Sequence, residues 1–181
     1  MTKKTKPIAL IGFMGAGKTT VGRALAAAMG IDFVDMDAEV EKAAQMPISQ
    51  IFAQHGEQYF RQLEFIHYQK IPLMGKSVIA TGGGCVIDER NRAALKKHTV
   101  AVYLQASPGV LFRRIGADTS RPLLFGGDRF AKIHALLAER EILYRQTADF
   151  TVQTDSLDIS DCVRIILENT QALRRKKTPP A

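Results

Sequence analysis

The chain has 181 residues, 46% hydrophobic and 24% charged, with a formal net charge of +7. Those proportions fit one soluble globular domain with a substantial core, and no apolar run approaches the roughly 20 residues of a membrane helix. The positive excess equals the seven cations Lys3, Lys4, Lys6, Arg174, Arg175, Lys176 and Lys177, so the body between them is formally neutral.

A nucleic-acid binder would be expected to carry its charge on a folded face. Here it lies on two tails, about 1–6 and 174–181, expected to be solvated and dispensable. The basic start leads into an apolar stretch shorter than the about 7–15 residues of a secretory signal, so a cytoplasmic address is expected. Cys85 and Cys162 are far apart, and His55, His67, His98 and His134 form no i, i+4 pair. Neither a disulfide framework nor a zinc site is expected.

In chain order, Ile8–Ile11 reads as a buried strand and 17–29 as a helix with Val21, Leu25, Ala28 and Met29 on one side. Phe33-Val34 is a short second strand, followed by helical patterns at 37–44, 48–54 and 57–71. A third strand at 77–80, a helix at 88–97, a strand at 100–104 and a helix at 108–115 come next. The series closes with a helix at 129–146, a strand at 150–153 and a helix at 159–173. Short buried strands separated by helices predict an α/β fold, a parallel sheet covered on both faces. Ligands in such sheets bind beyond the carboxyl ends of the strands.

The residues with chemistry fall at those ends. Gly12-Phe-Met-Gly-Ala-Gly-Lys-Thr19 matches G-x-x-x-x-G-K-[ST] between a strand and a helix. Glycines let the backbone turn its N–H groups toward an anion, and the helix start adds positive potential. Lys18 would reach the β- and γ-phosphates, and Thr19 would ligate Mg²⁺. The chain lacks Asn-Lys-x-Asp, and its third strand ends without an acid. A GTPase switch and a motor ATPase are thereby disfavoured.

Asp35 and Asp37 close the second strand. On an extended chain a two-residue spacing puts both carboxylates on one face, one for Mg²⁺ and one to orient an acceptor hydroxyl and take its proton. The alternative is an exposed turn with a helix cap. Gly82-Gly83-Gly84 follows the third strand, where backbone amides could approach an acceptor or a phosphate. Arg61 and Glu64, i and i+3, could pair. Arg145 sits near the end of a long helix, and two converging arginines would grip a carboxylate. Arg121-Pro-Leu-Leu124 lies between Gly116 and Gly126-Gly127, a lid-like loop at about 116–127. A kinase for some other small acceptor and a non-catalytic nucleotide-binding module stay open on these residues.

The ordered set of Gly-x-x-Gly-x-Gly-Lys-Thr, Asp-x-Asp, Gly-Glu-x-x-Phe-Arg-x-x-Glu, Gly-Gly-Gly, Arg-Pro-Leu-Leu and Leu-Tyr-Arg resembles the shikimate kinase family, from about Ile8 to Leu167. The resemblance implies a three-layer α/β/α P-loop kinase fold with a five-stranded parallel sheet in the order 2-3-1-4-5. It implies one domain, with an acceptor segment at about 35–66. The implied reaction is transfer of the γ-phosphate of ATP, with Mg²⁺, to the 3-hydroxyl of shikimate by a cytoplasmic monomer. ATP would be held by Gly12, Met14, Gly15, Ala16, Gly17, Lys18, Thr19 and Thr20, with Arg114 against adenine and Arg121 on the phosphates. Thr19 and Asp35 would hold the metal. Asp37, Arg61, the glycines 82–84 and Arg145 would bind shikimate, and Asp37, Lys18 and Arg121 would do the chemistry. Two stretches depart from the family pattern. Ala44-Gln45-Met46-Pro47 stands where a Gly and then Ser or Thr are usual, and the adenine-side loop at about 154–159 lacks its usual proline.

Overall fold

The computed structural model describes residues 6–116, 122–124 and 126–176. Five strands, β1 (Ile8–Ile11), β2 (Asp32–Asp35), β3 (Ser77–Ala80), β4 (Val100–Gln105) and β5 (Phe150–Gln153), form one sheet in the order β2-β3-β1-β4-β5. Every pairing is parallel, with Ala9 between Ile79 and Ala101 at the centre. The central strands β1 and β3 are buried at every position, as expected of a sheet covered on both faces. The fold is the expected three-layer α/β/α P-loop kinase architecture.

The helices are α1 (Lys18–Met29), α2 (Met36–Ala44), α3 (Ile48–Tyr68), α4 (Glu89–His98), α5 (Pro108–Ile115), α6 (Arg129–Thr147) and α7 (Ile159–Lys176). Short 3₁₀ turns cover Ile71–Leu73 and Pro122–Leu124. Helices α1 and α7 pack together, with α1 against β1, β2 and β3, while α4 and α6 pack against β4. Val21, Gly22, Leu25 and Ala26 are the buried side of α1. A Cβ on Gly22 would meet the Phe33 ring at 2.6 Å, so that helix can lie this close to β2 only with glycine there.

The two expected helices, 48–54 and 57–71, meet inside the stretch α3 at Gly56, whose non-helical φ of 79° and ψ of 172° separate them by a sharp break. The break has a local cause, one non-helical glycine. The helix ends at Tyr68, and the last residue of the expected span, Ile71, opens the 3₁₀ turn.

The main core fills both sides of the sheet. A separate small cluster of Val40, Ile51 and Phe60, flanked by Ala44, Met46, Ile48, Phe52 and Leu63, joins α2 to α3. The Phe52 and Phe60 rings lie 5.0 Å apart within it. The departure before Ile48 finds its geometry here. Gln45 caps α2 with φ 54° and ψ 29°, the one non-glycine residue with positive φ among the described residues. It occupies the left-handed position that glycine fills without strain. Pro47 then caps α3, and the Ile48 N–H donates to Glu41 Oε1 at 2.9 Å.

Candidate active site

A cavity of about 780 Å³ opens along the carboxyl ends of the strands. Its lining runs from Arg114, Thr154 and Leu157, past the loop before α1, to Asp37, Arg61, Gly82–Gly84 and Arg140.

The loop before α1 bends through positive φ at Gly12, Gly15 and Gly17, at 148°, 79° and 94°. A side chain at Gly12 would strike the Leu104 carbonyl at 2.6 Å, and one at Gly15 would strike Ile115 at 2.8 Å. Lys18 Nζ donates to the carbonyls of Gly12 and Phe13, both at 2.9 Å, and so arches back over its own loop. The Thr19 hydroxyl donates to Asp35 Oδ2 at 2.9 Å. A hydroxyl and a carboxylate so close together are the hard oxygen donors that Mg²⁺ takes, usually alongside water and phosphate. At the far end Arg114 donates to Thr154 Oγ1 at 2.9 Å and to its carbonyl at 2.6 Å, which fixes a planar guanidinium along the cavity wall.

The two aspartates are not on one extended strand. The chain turns helical after Asp35, whose Oδ1 accepts from the N–H groups of Asp37 and Ala38 and caps α2. Asp35 therefore caps with one oxygen and meets Thr19 with the other. Asp37 lies in the first turn of α2, and both carboxylates still line the cavity.

Arg61 is held on two sides. Its Nη1 donates to Glu64 at 2.9 Å and its Nη2 to Glu57 at 2.9 Å, one helical turn away in each direction. Glu64 is only 2% exposed, and its Oε1 has no hydrogen-bond partner among the described residues. Burial pushes the Glu64 carboxyl up to about 7. The Arg61 guanidinium pulls it back only in part, and Asp37 and Asp88 add to the rise. The three glycines are each pressed against a different part of the site. A Cβ at Gly82 would meet Asp37 Oδ1 at 2.6 Å and Glu64 Oε1 at 2.9 Å. One at Gly83 would meet the Met14 nitrogen at 3.1 Å, and one at Gly84 would overlap the Arg61 guanidinium. Glycine is required there by close approach, since none of the three has positive φ.

Arg145 is not in the cavity. It is 49% exposed and pairs along the surface with Glu141, Nη2 to Oε1, at 2.8 Å. The arginine that α6 turns into the cavity is Arg140, 4% exposed, with its guanidinium 5.8 Å from the centre of the Phe13 ring. Its Nε and Nη1 have no hydrogen-bond partner among the described residues. Helical geometry explains the exchange: Tyr144 is fully buried, so Arg140, four residues earlier, shares its face and Arg145 points away. The buried Tyr was the available signal, since it fixes which face of α6 turns inward. Arg121 lies outside the described residues.

The chain matches the family model "Shikimate kinase" over residues 14–171. The chain belongs to the shikimate kinase family. A shikimate kinase from Neisseria meningitidis is 48% identical over 145 residues, covering 80% of this chain and 85% of the relative. One from Bordetella avium is 40% identical over 170 residues, covering 94% and 81%. The shikimate kinase structure from Acinetobacter baumannii, in complex with shikimate, superposes with a TM-score of 0.90 at 36% identity over 96% of both chains. A gluconokinase from Sinorhizobium meliloti, 16% identical with a TM-score of 0.54, shares only the fold. Kinases of the shikimate kinase family use ATP with Mg²⁺, and the cradle, the lysine and the Thr19–Asp35 pair fit both. No helix among the described residues is long and apolar enough to cross a membrane.

Proposed function

We propose that this chain phosphorylates the 3-hydroxyl of shikimate from ATP, with its roles divided along the cavity. Lys18 and the loop amides from Gly12 to Thr20 face the phosphates, and Arg114 lies along the base. Thr19 and Asp35 would hold Mg²⁺, which when bound would screen phosphate charge. Asp37 orients the acceptor hydroxyl and accepts its proton as the oxygen–phosphorus bond forms and the bond to ADP breaks. Arg61, the Gly82–Gly84 backbone and Arg140 receive the acceptor's carboxylate. Arg121 is assigned to the transferring phosphate.

One observation carries the choice of acceptor. Arg140 is buried with two guanidinium nitrogens unpartnered among the described residues, in the same cavity as Arg61. A buried guanidinium without an anion is costly, and a ligand carboxylate supplies two matched acceptors. A nucleoside or a neutral sugar would leave that cation unpaired. The same reading makes the chain a cytoplasmic monomer acting on a small molecule, without a specific nucleic-acid partner.

The test is ADP release in the presence of Mg²⁺ with shikimate, gluconate or a nucleoside monophosphate. Turnover is expected with shikimate alone. Equal release without shikimate, or with either substitute, would overturn the assignment.

A further inference from the structure

The turn at Gly82–Gly84 has no side chains to bias its peptide planes, and peptides flanked by glycine rotate easily. Its three carbonyls are nevertheless all held by the protein. Gly82 accepts from the Cys85 N–H at 3.2 Å and Gly84 from the Ile87 N–H at 3.0 Å. The Gly83 carbonyl accepts from the Tyr144 hydroxyl. The three amides, in contrast, have no backbone acceptor among the described residues.

Tyr144 is suited to hold a carbonyl still. It is fully buried in the main core and stacked on Tyr103, with ring centroids 5.0 Å apart and planes 20° apart. A peptide unit is planar, and none here is cis, so C=O of Gly83 and N–H of Gly84 point in opposite directions. Tyr144 draws the carbonyl toward the core. The Gly84 amide is thereby turned toward the cavity that the three glycines line, beside the Arg61 guanidinium. The Tyr144 hydroxyl also interacts with Arg140, one turn earlier on the same helix.

Resting on the shikimate reading above, we infer that Tyr144 is a positioning residue for the acceptor: its hydroxyl locks the Gly83–Gly84 peptide so that the Gly84 amide and Arg140 present one donor surface to the acceptor's carboxylate. Tyr144 itself does not line the cavity.

The test is Tyr144→Phe, which keeps the ring and its stack and removes only the hydroxyl. The KM for shikimate is expected to rise about tenfold, the scale of one hydrogen bond to a charged group. The KM for ATP and kcat should stay within about twofold, a split that a general loosening of the core would not produce. Tyr103→Phe, which removes the other hydroxyl of the stack, should leave the KM for shikimate unchanged. A folded Tyr144→Phe with a wild-type KM for shikimate, or an equal rise in both variants, would overturn the proposal. A second measurement needs no variant: adding shikimate to the wild-type protein should shift the Gly84 amide proton resonance, and an unmoved resonance would overturn it as well. If the wild-type protein showed no shikimate-dependent turnover, the functional reading itself would have failed, before Tyr144 came into question.

Discussion

At the end of the cavity proposed for the phosphates, most groups come from one stretch, Gly12 to Thr19. At the proposed acceptor end, Asp37, Arg61, the glycines 82–84 and Arg140 arrive from four separate stretches. The first end is mostly backbone, shaped by glycines with positive φ and needing one helix start to be charged. The second depends on charged side chains, Arg140 buried on α6 and Arg61 held by the buried Glu64 of its own helix. A contiguous backbone cradle tolerates changes around it. A site assembled from distant side chains depends on every helix that delivers one.

The largest expected effect is at the phosphate end. Lys18→Ala removes the cation that arches over the loop and should lower kcat by about 10²–10³-fold or more, as loss of one preorganised donor does elsewhere. Circular dichroism should remain that of the folded protein. An unchanged kcat would mean the backbone amides suffice, and the comparison of the two ends would collapse.

Next come the two arginines of α6, which set the inward face against the outward one. Arg140→Lys should raise the KM for shikimate by about 10–10²-fold, because lysine keeps the charge but loses the planar two-pronged grip. Arg145→Lys should change it by less than about twofold, since an exposed i, i+4 pair contributes little. Steady-state kinetics on the two variants decides the matter, and the reverse ranking would restore Arg145 to the site.

The same helix marks where the sequence stopped being informative. The strands, the phosphate loop and the Arg61–Glu64 pair were legible, because each depends on local spacing or on a motif with one structural meaning, while the strand order came from the family resemblance. Which arginine of α6 turns inward depends on how a 19-residue helix is rotated against β4, a tertiary property. The Leu-Tyr-Arg motif drew attention to the residue after the buried tyrosine, while the helical period puts the inward cation four residues before it. Asp35 and Asp37 both line the cavity, although they do not share one extended strand. The sequence offered both readings, and the turn into α2 is the one formed, with Asp35 serving both as the end of a strand and as a helix cap. Glu57, the second partner of Arg61, was visible as an i, i+4 neighbour and was passed over.

A third test uses Glu64, where stability and acceptor binding should respond to pH in opposite directions. Its ordinary carboxyl value is 4.5, and burial raises it to about 7. Between those values the folded chain holds a proton that the unfolded chain has released. Stability contributed by this group therefore falls as pH rises through that window, by a total on the order of 3 kcal/mol. The ionised carboxylate is the form that orients Arg61, so the KM for shikimate should rise as pH falls below 7. In Glu64→Gln this contribution to both trends should vanish. Thermal midpoints and shikimate KM from pH 5 to 8, wild type against variant, measure it. A wild-type slope that persists in the variant would assign the effect to another group.

The smallest effect concerns the hinge between α2 and α3, on the acceptor side, where the chain departs from its family pattern. Gln45 holds a left-handed conformation that strains an L side chain by about 1–2 kcal/mol, a strain glycine does not feel. Glycine gives back part of that gain, about 0.5–1 kcal/mol, through the greater freedom of its unfolded chain. Gln45→Gly should therefore stabilise the protein by up to about 1 kcal/mol, or about 2–4 °C in thermal midpoint for a chain of this size. Gln45 is exposed, so the substitution removes no core packing. The neighbouring Pro47, Ile48 and Ser49 line the cavity, and kinetics therefore distinguishes two roles for the turn. If Gln45 only caps α2, the midpoint rises and the KM for shikimate stays put. If its backbone stiffness also holds α3 and Arg61 in register, the midpoint rises while the KM rises with it. The second result would make the acceptor end sensitive even to an exposed turn, whereas the phosphate loop, closed on itself by Lys18, should leave the KM for ATP unchanged in either case.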